Sequence, residues 1–346
     1  MRYPEFLKDG GSIGLVAPSF GCATEPYKSA LENALKKFNE AGYKTILGPN
    51  CHEDSGIGIS NSPELCGEEL TQMYCSEEND ILISCGGGEL MCEILEHVDF
   101  DRIRQSQPKW FLGYSDNTNF TFLQTVLCDT ASVYGPCAGA FGMEPWHDNI
   151  RDTWELLRGN KLVQTGYGLW EKESLKLVDN PLATINATEP RVLKLHYKDI
   201  LSEEGESSFS GRLIGGCMDC LVNLLGTKYD KVSEFNKKYA DDGIIWFLES
   251  CDLNVFAIRR AMWQMYNAGW FENVRGFIIG RPAVFGQEMM GLDQYEAVTG
   301  IIGQLGVPII MDADIGHISP AMPIICGSVA DVRLAGQQFM LSMSLR

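Results

Sequence analysis

The chain has 346 residues, 45% of them apolar and 21% charged, and its 28 Lys and Arg stand against 46 Asp and Glu for a formal net charge of -18. That length fits two domains with well-packed cores, and the composition excludes disordered and low-complexity classes. So acidic a chain is a poor match for DNA, RNA or anionic lipid, because phosphates are bound by clustered Lys and Arg.

The first segment, Met1-Arg2-Tyr3-Pro4-Glu5-Phe6-Leu7-Lys8-Asp9, breaks with charge the apolar core that a secretory signal needs. No apolar run reaches the roughly 20 residues that span a bilayer, so a soluble protein without nucleic-acid or membrane partners is expected. The 12 cysteines have no regular spacing. Cys22, Cys85, Cys137 and Cys326 sit in apolar or Gly-rich settings, which suits reduced thiols packed as small hydrophobes in a cytoplasmic protein. Cys217 and Cys220 form a lone C-x-x-C that reads as a redox pair or half a zinc site, with no second ligand pair nearby in sequence.

In chain order, an apolar run at 12–17 ends at Pro18, and 27–43 then places Ala30, Leu31, Leu35 and Phe38 on helical spacing. A short strand at 45–47 follows, Ser62-Pro63 caps a helix to Tyr74, and Ile81–Ser84 is a third strand running into Gly86-Gly87-Gly88. A helix through Leu95, a strand at 110–114, a helix at 116–127 and a strand at Ser132–Tyr134 complete the region. Strands alternating with crossover helices imply a mainly parallel sheet covered on both faces. Residues 142–190 read as an irregular connector. Order returns with a strand at 211–214, a helix at 218–225, a strand at 244–248, a helix at Val255–Asn267 and a strand at 276–279. A helix near 295–305 and a strand at 308–311 precede an alternating tail, 323–345, folded around Ala335-Gly336. The expected organisation is an α/β domain over 1–141, a connector over 142–190 and a β-rich α/β domain over 191–346.

Chemistry is concentrated at turns. In Trp110-Phe111-Leu112-Gly113-Tyr114-Ser115-Asp116-Asn117-Thr118 a buried strand meets a helix, which places Ser115 at a corner suited to a nucleophile. Ser115 or Asp116 serves equally well there as a helix cap, and Asn117 departs from the hydrolase pattern G-x-S-x-G. A serine needs a base that is itself oriented by an acid. Of the five histidines, His317 stands out, in a turn directly after an apolar strand, where α/β sheets meet their ligands; simple solvation of that loop is the alternative. Glu249 closes the apolar run 243–249 and needs a partner there, with Asp252, Asp312 and Asp314 as rivals. Gly86-Gly87-Gly88 and the Asp116 N–H offer donors for an oxyanion, while a tight turn explains the glycines as well. No Lys-Ser/Thr follows them, which excludes a P-loop. Arg281, after the strand at 276–279, is a candidate for binding a substrate carboxylate.

The ordered set Gly86-Gly87, Asp99-Phe100, Pro108-Lys109, Gly113-Tyr114-Ser115-Asp116-Asn117-Thr118, Gly135-Pro136, Gly211-Arg212-Leu213-Ile214-Gly215-Gly216, Leu248-Glu249 and Gly316-His317 resembles the LD-carboxypeptidase family of serine peptidases, which includes the microcin C self-immunity (MccF-like) proteins. The resemblance implies a Rossmann-like or flavodoxin-like N-terminal domain, a β-rich C-terminal domain, an active site between them and a homodimer. It implies Ser115 as nucleophile, His317 as base and Glu249 as orienting acid, with backbone N–H groups of Gly87 and Asp116 as oxyanion hole and no metal or cofactor. The implied substrate is a small peptide, a muropeptide with an L-D bond in peptidoglycan recycling, or else a peptidyl or aminoacyl nucleotide; a catalytically silent binding protein is the alternative of another class. Gly88 lies in the implied substrate loop, where the chain has Cys85-Gly86-Gly87-Gly88-Glu89 in place of the murein enzymes' Arg-Gly-Gly-Tyr-Gly, and Cys217 stands where the family usually has Asn. Trp170 is the counterpart of a base-stacking aromatic, or else a linker anchor.

Overall fold

The computed structural model describes all 346 residues, Met1–Arg346. They form two compact units: Met1–Lys161 with Glu173–Asn186 and Pro323–Ile325 make unit one, and Leu162–Lys172 with Ala187–Met322 and Cys326–Arg346 make unit two. No helix is long and apolar enough to cross a membrane.

Unit one is organised by a six-stranded sheet in the spatial order Ile324–Cys326, Ser132–Tyr134, Phe111–Gly113, Ile81–Ser84, Ser12–Val16, Lys44–Leu47. From Lys44–Leu47 through Ser132–Tyr134 the neighbours pair in parallel. Ile81–Ser84 is buried along its whole length, as a strand covered on both faces must be. The chain leaves Ser12–Val16 toward one side of the sheet and later returns on the other at Ile81–Ser84. The loops beyond these two strands therefore diverge, and such a switch point opens a crevice at the carboxyl ends. Ser19 and the Gly86-Gly87-Gly88 loop sit there. Helix Tyr27–Glu40 buries Ala30, Leu31, Ala34 and Phe38, and helix Pro63–Cys75 is capped by Ser62, whose side chain accepts from Leu65 N. Glu69 on that second helix is buried. Its carboxylate accepts from the backbone N–H groups of Ala17 at 2.9 Å and Asn50 at 2.8 Å, which fixes the chain as it leaves the first strand.

Unit two holds a nine-stranded mixed sheet in the order Ile200–Ser202, Lys194–Tyr197, Ile309–Ala313, Val274–Gly280, Ile244–Glu249, Glu206–Cys217, Val329–Ala335, Gln338–Ser344, Val163–Gln164. The four strands from Ile309–Ala313 to Glu206–Cys217 are parallel and the flanking pairs antiparallel. The C-terminal hairpin alternates buried and outward residues on both strands, and turns at Gly336, whose φ of +57° lies in the left-handed region. The mixed α/β fold read from the sequence, parallel first and β-rich second, is the observed one.

The segment 142–190 differs from the irregular connector expected. It contains helix Asp148–Leu157, and its residues divide between the units. The helix belongs to unit one because Trp154 packs on Phe38, with ring centroids 5.5 Å apart, and on Tyr43 at 4.9 Å. Unit one therefore continues past residue 141. In unit two, Leu169–Glu171 pairs with Ala187–Pro190.

Asp312, on the inner strand Ile309–Ala313, is buried against the Tyr295 hydroxyl at 2.8 Å and Gln294 Nε2 at 2.9 Å. Burial pushes its carboxyl up to about 6, against the opposing pull of Tyr295, Arg281, Lys194 and Gln294. The unfolded chain releases this proton near pH 4 and the folded chain near pH 6, so stability falls as pH rises through that window, by up to about 3 kcal/mol. Urea unfolding of Asp312→Asn across pH 4–7 should show the variant gaining about 2–3 kcal/mol relative to the wild type as pH rises; parallel pH curves would contradict the assignment.

Candidate active site

In unit one, strand Phe111–Gly113 continues through extended Tyr114 into Ser115, whose φ of +62° is left-handed, and then into a tight turn and helix Thr118–Val126. A non-glycine residue rarely adopts this backbone, and strain of this kind clusters at functional turns. The surroundings hold it in place. A β-carbon on Gly113 would come within 2.8 Å of Asn117 Cβ, and one on Gly87 would stand 3.3 Å from Ser115 Oγ, so these two glycines permit the close turn. Asn117 Nδ2 donates to Gly86 O at 2.8 Å and to Tyr114 O at 3.1 Å. That bond ties the Gly-rich loop to the serine turn and gives Asn117 a task that the glycine of the hydrolase pattern would not perform. Ser115 N–H faces the Tyr134 hydroxyl at 3.4 Å.

Asp116 does more than the sequence offered. Its carboxylate is buried and accepts from Ser19 Oγ, from Met91 N at 2.8 Å and from Asn119 Nδ2 at 3.0 Å. One side chain thus joins the loop after the first strand, the chain after the Gly-rich loop, and the serine turn. Phe20 N donates to Gly87 O at 2.7 Å, and Gly88, at φ +144°, leaves no room for a β-carbon against Ser19 Oγ. Ser19 follows Pro18 at a strand end, and the switch-point rule would have flagged it.

In unit two, Glu249 ends strand Ile244–Glu249 with no exposed surface, and its Oε2 lies 2.8 Å from His317 Nδ1. The approach is made possible by Gly316, at φ +101°, where a β-carbon would fall 2.4 Å from Glu249 Oε2. Burial disfavours a charge on the imidazole, yet the Glu249 carboxylate and the Cys251 thiol beside it outweigh this and raise His317 to about 11. Glu249 therefore stabilises the imidazolium, and Nδ1 is the nitrogen oriented by the acid. Two of the three rival acids have other carboxylate partners: Asp314 pairs with Arg281 and, at 3.3 Å, with Arg191, and Asp312 faces Tyr295.

Arg281 is buried, with Nη2 on Asp314 and Nη1 on Asp312 O at 2.9 Å, while its Nε has no acceptor. The guanidinium offered by the sequence as a carboxylate anchor thus has its charge balanced by Asp314. Trp170 packs edge-on against Phe285 at 5.2 Å, lies 5.5 Å from the Arg281 guanidinium and donates its indole N–H to Pro190 O at 3.1 Å. None of these contacts was visible from sequence spacing, nor was Cys251 beside His317.

Two models of one family match the chain. The LD-carboxypeptidase N-terminal domain matches residues 13–135 and the LD-carboxypeptidase C-terminal domain residues 210–332, together well over half of the sequence. The chain belongs to the LD-carboxypeptidase family. Among its relatives, the microcin C7 self-immunity protein MccF of Escherichia coli is 25% identical over 331 residues, covering 93% of this chain and 90% of that protein. A Vibrio cholerae protein named "putative carboxypeptidase" is 23% identical over 326 residues, covering 93% of this chain and 92% of that protein. The fold matches an MccF-like protein from Bacillus anthracis with a TM-score of 0.80 at 22% identity over the full length of both chains. It also matches MccF in complex with glutamyl sulfamoyl guanosine, with a TM-score of 0.79 at 18% identity, covering 99% of this chain and 98% of that one. Each unit of this LD-carboxypeptidase family member thus carries a buried carboxylate beside a candidate residue, Asp116 next to Ser115 and Glu249 on His317.

Removing the Asp116 carboxylate leaves the Ser19 hydroxyl and the Met91 N–H buried without an acceptor. Asp116→Ala should lower stability by about 2–4 kcal/mol in chemical denaturation, with Asp116→Asn losing less; a change within 0.5 kcal/mol, the usual range for surface sites, would show that these bonds do not organise the turn.

Proposed function

We propose that the protein is a serine carboxypeptidase that hydrolyses a C-terminal amide bond, with Ser115 as nucleophile, His317 as base and Glu249 as orienting acid. The observation that carries the reading is the buried Glu249–His317 contact at 2.8 Å, in a chain of the LD-carboxypeptidase family. In molecules whose His317 is neutral, a fraction that grows with pH because Glu249 holds the imidazole above its ordinary value, Ser115 Oγ attacks the amide carbonyl while His317 accepts its proton. The imidazolium formed in that step is the species that the Glu249 charge favours. Backbone N–H groups of Gly87 and Asp116 hold the oxyanion, the strained backbone of Ser115 keeps the hydroxyl at the loop surface, and the proton passes from His317 to the departing amine. Water, deprotonated by the same imidazole, then hydrolyses the acyl-enzyme.

The preferred substrate is a muropeptide with an L-D bond, processed in the cytoplasm by a homodimer. A second reading, hydrolysis of an aminoacyl or peptidyl nucleotide, is favoured by the relatives: MccF has been solved in complex with glutamyl sulfamoyl guanosine and with aspartyl sulfamoyl adenosine. For that substrate the indole of Trp170 offers an aromatic face to a base.

A fluorophosphonate probe should label the wild type and leave Ser115→Ala unlabelled. Equal labelling of the two would remove Ser115 from the mechanism, and an unlabelled wild type would favour a silent binder. Glu249→Gln should lower kcat/KM by about 10²–10⁴-fold. Mass spectrometry of products from murein tetrapeptide and from an aminoacyl sulfamoyl adenosine, each incubated with the wild type, ranks the two substrate classes.

A further inference from the structure

One member of the C-x-x-C pair that the sequence offers as half a metal site, Cys217, meets two other ligand residues in the fold. Strand Glu206–Cys217 runs parallel to Ile244–Glu249 in a register that sets Cys217 beside Glu249. The turn after strand Ile309–Ala313 brings His317 onto the same carboxylate. One ligand atom from each of Cys217, Glu249 and His317 consequently lies within 4.8 Å of the other two. The thiol and the carboxylate are buried, whereas the imidazole keeps 16% of its side-chain surface, a route by which an ion can enter.

We propose that Cys217 Sγ, a Glu249 carboxylate oxygen and a His317 ring nitrogen bind one divalent ion of the zinc class, with water in the fourth position of a tetrahedron. Sulfur, nitrogen and oxygen together form a donor set that zinc accepts, whereas magnesium and calcium select oxygen alone. At ordinary zinc bond lengths the ligand atoms of a tetrahedron sit roughly 3.5 Å apart. The three ligand atoms lie within 4.8 Å of one another, so an ion has to draw the thiol in by no more than about 1.3 Å, and the Glu249–His317 hydrogen bond has to open by less than about 1 Å. On ligation the thiol and the imidazolium each release one proton to solvent, and the bond the thiol donates to Asp219 Oδ2 at 3.3 Å is given up. Asp219 does not then collapse, because it also accepts from Cys251 N at 3.1 Å and Asp252 N at 2.8 Å.

The binding stands apart from the hydrolytic reading, but its consequence rests on it. An ion on Glu249 and His317 separates the acid from the base, so zinc occupancy and proton transfer exclude each other. Zinc is then a reversible inhibitor whose grip depends on Cys217, a residue outside the proposed catalytic set.

Cobalt(II) titration and zinc calorimetry of the full chain test the site without any need for turnover. The first equivalent of Co²⁺ should produce a thiolate-to-cobalt charge-transfer absorption that disappears in Cys217→Ala and survives in Cys220→Ala and Cys251→Ala, whose thiols lie beside Cys217 and His317 respectively. Zinc affinity should fall by at least about 100-fold in Cys217→Ala, beyond what the loss of an outer-shell partner costs, and by at least about 10-fold in His317→Gln. A wild type without the absorption, a Cys217→Ala variant that binds like the wild type, or an unchanged affinity in His317→Gln each overturns the site. A chain that binds zinc in this way yet fails to react with the fluorophosphonate would overturn the hydrolytic reading alone.

Discussion

A carboxylate with no exposed surface at the end of an apolar strand must meet a donor, since an ionised group left alone in such surroundings costs several kcal/mol. Glu249 is in that position, and His317 is its donor at 2.8 Å. The neighbourhood is shaped by this need. Gly316 yields the space that a side chain would take, and a β-carbon on Gly280, on the adjacent strand, would stand 3.0 Å from Glu249 Cβ. The turn after Ile309–Ala313 is thereby pinned to the strand two places away in the sheet, so the imidazole is held by the architecture of unit two rather than by a loop of its own.

Unit one solves the same problem differently. Asp116 is buried too, but it is satisfied by three neutral donors in place of a cation. Hydrogen bonds to a carboxylate are stronger than those between neutral groups, and here they gather two loops at the switch point of a parallel sheet around the left-handed Ser115. The strain at the serine is carried by this network together with Asn117. One buried acid thus orients a base, and another fixes the turn that bears the hydroxyl.

Much of this was legible in the sequence because the inner strands are continuous apolar runs closed by Gly, Ser or Asp, and because Ser115, Glu249 and His317 each stand where such a run ends. Their chain order also resembles a family, which no single segment would have done. The helix Asp148–Leu157 was obscured by its outward face, where Asp148, Arg151, Asp152 and Glu155 interrupt the buried series Ile150, Trp154, Leu157. Long-range pairings were beyond the reach of spacing. That Arg281 would meet Asp314, 33 positions away, or that Cys217 would fall beside Glu249, depends on strand register. Asp116 was visible as a cap, but its role as an acceptor for Ser19 and Met91 exists only once three separate segments converge.

The connectivity of the two units bears on how the chain comes into being. Unit one's sheet is completed at one edge by Ile324–Cys326, a strand that lies beyond nearly all of unit two in the sequence. During synthesis, Ser132–Tyr134 leaves the ribosome almost two hundred residues before the strand that covers it. Its edge is open meanwhile, and an open parallel edge invites pairing with other chains. Biogenesis therefore favours conditions in which nascent chains are kept apart until the last segment has been delivered.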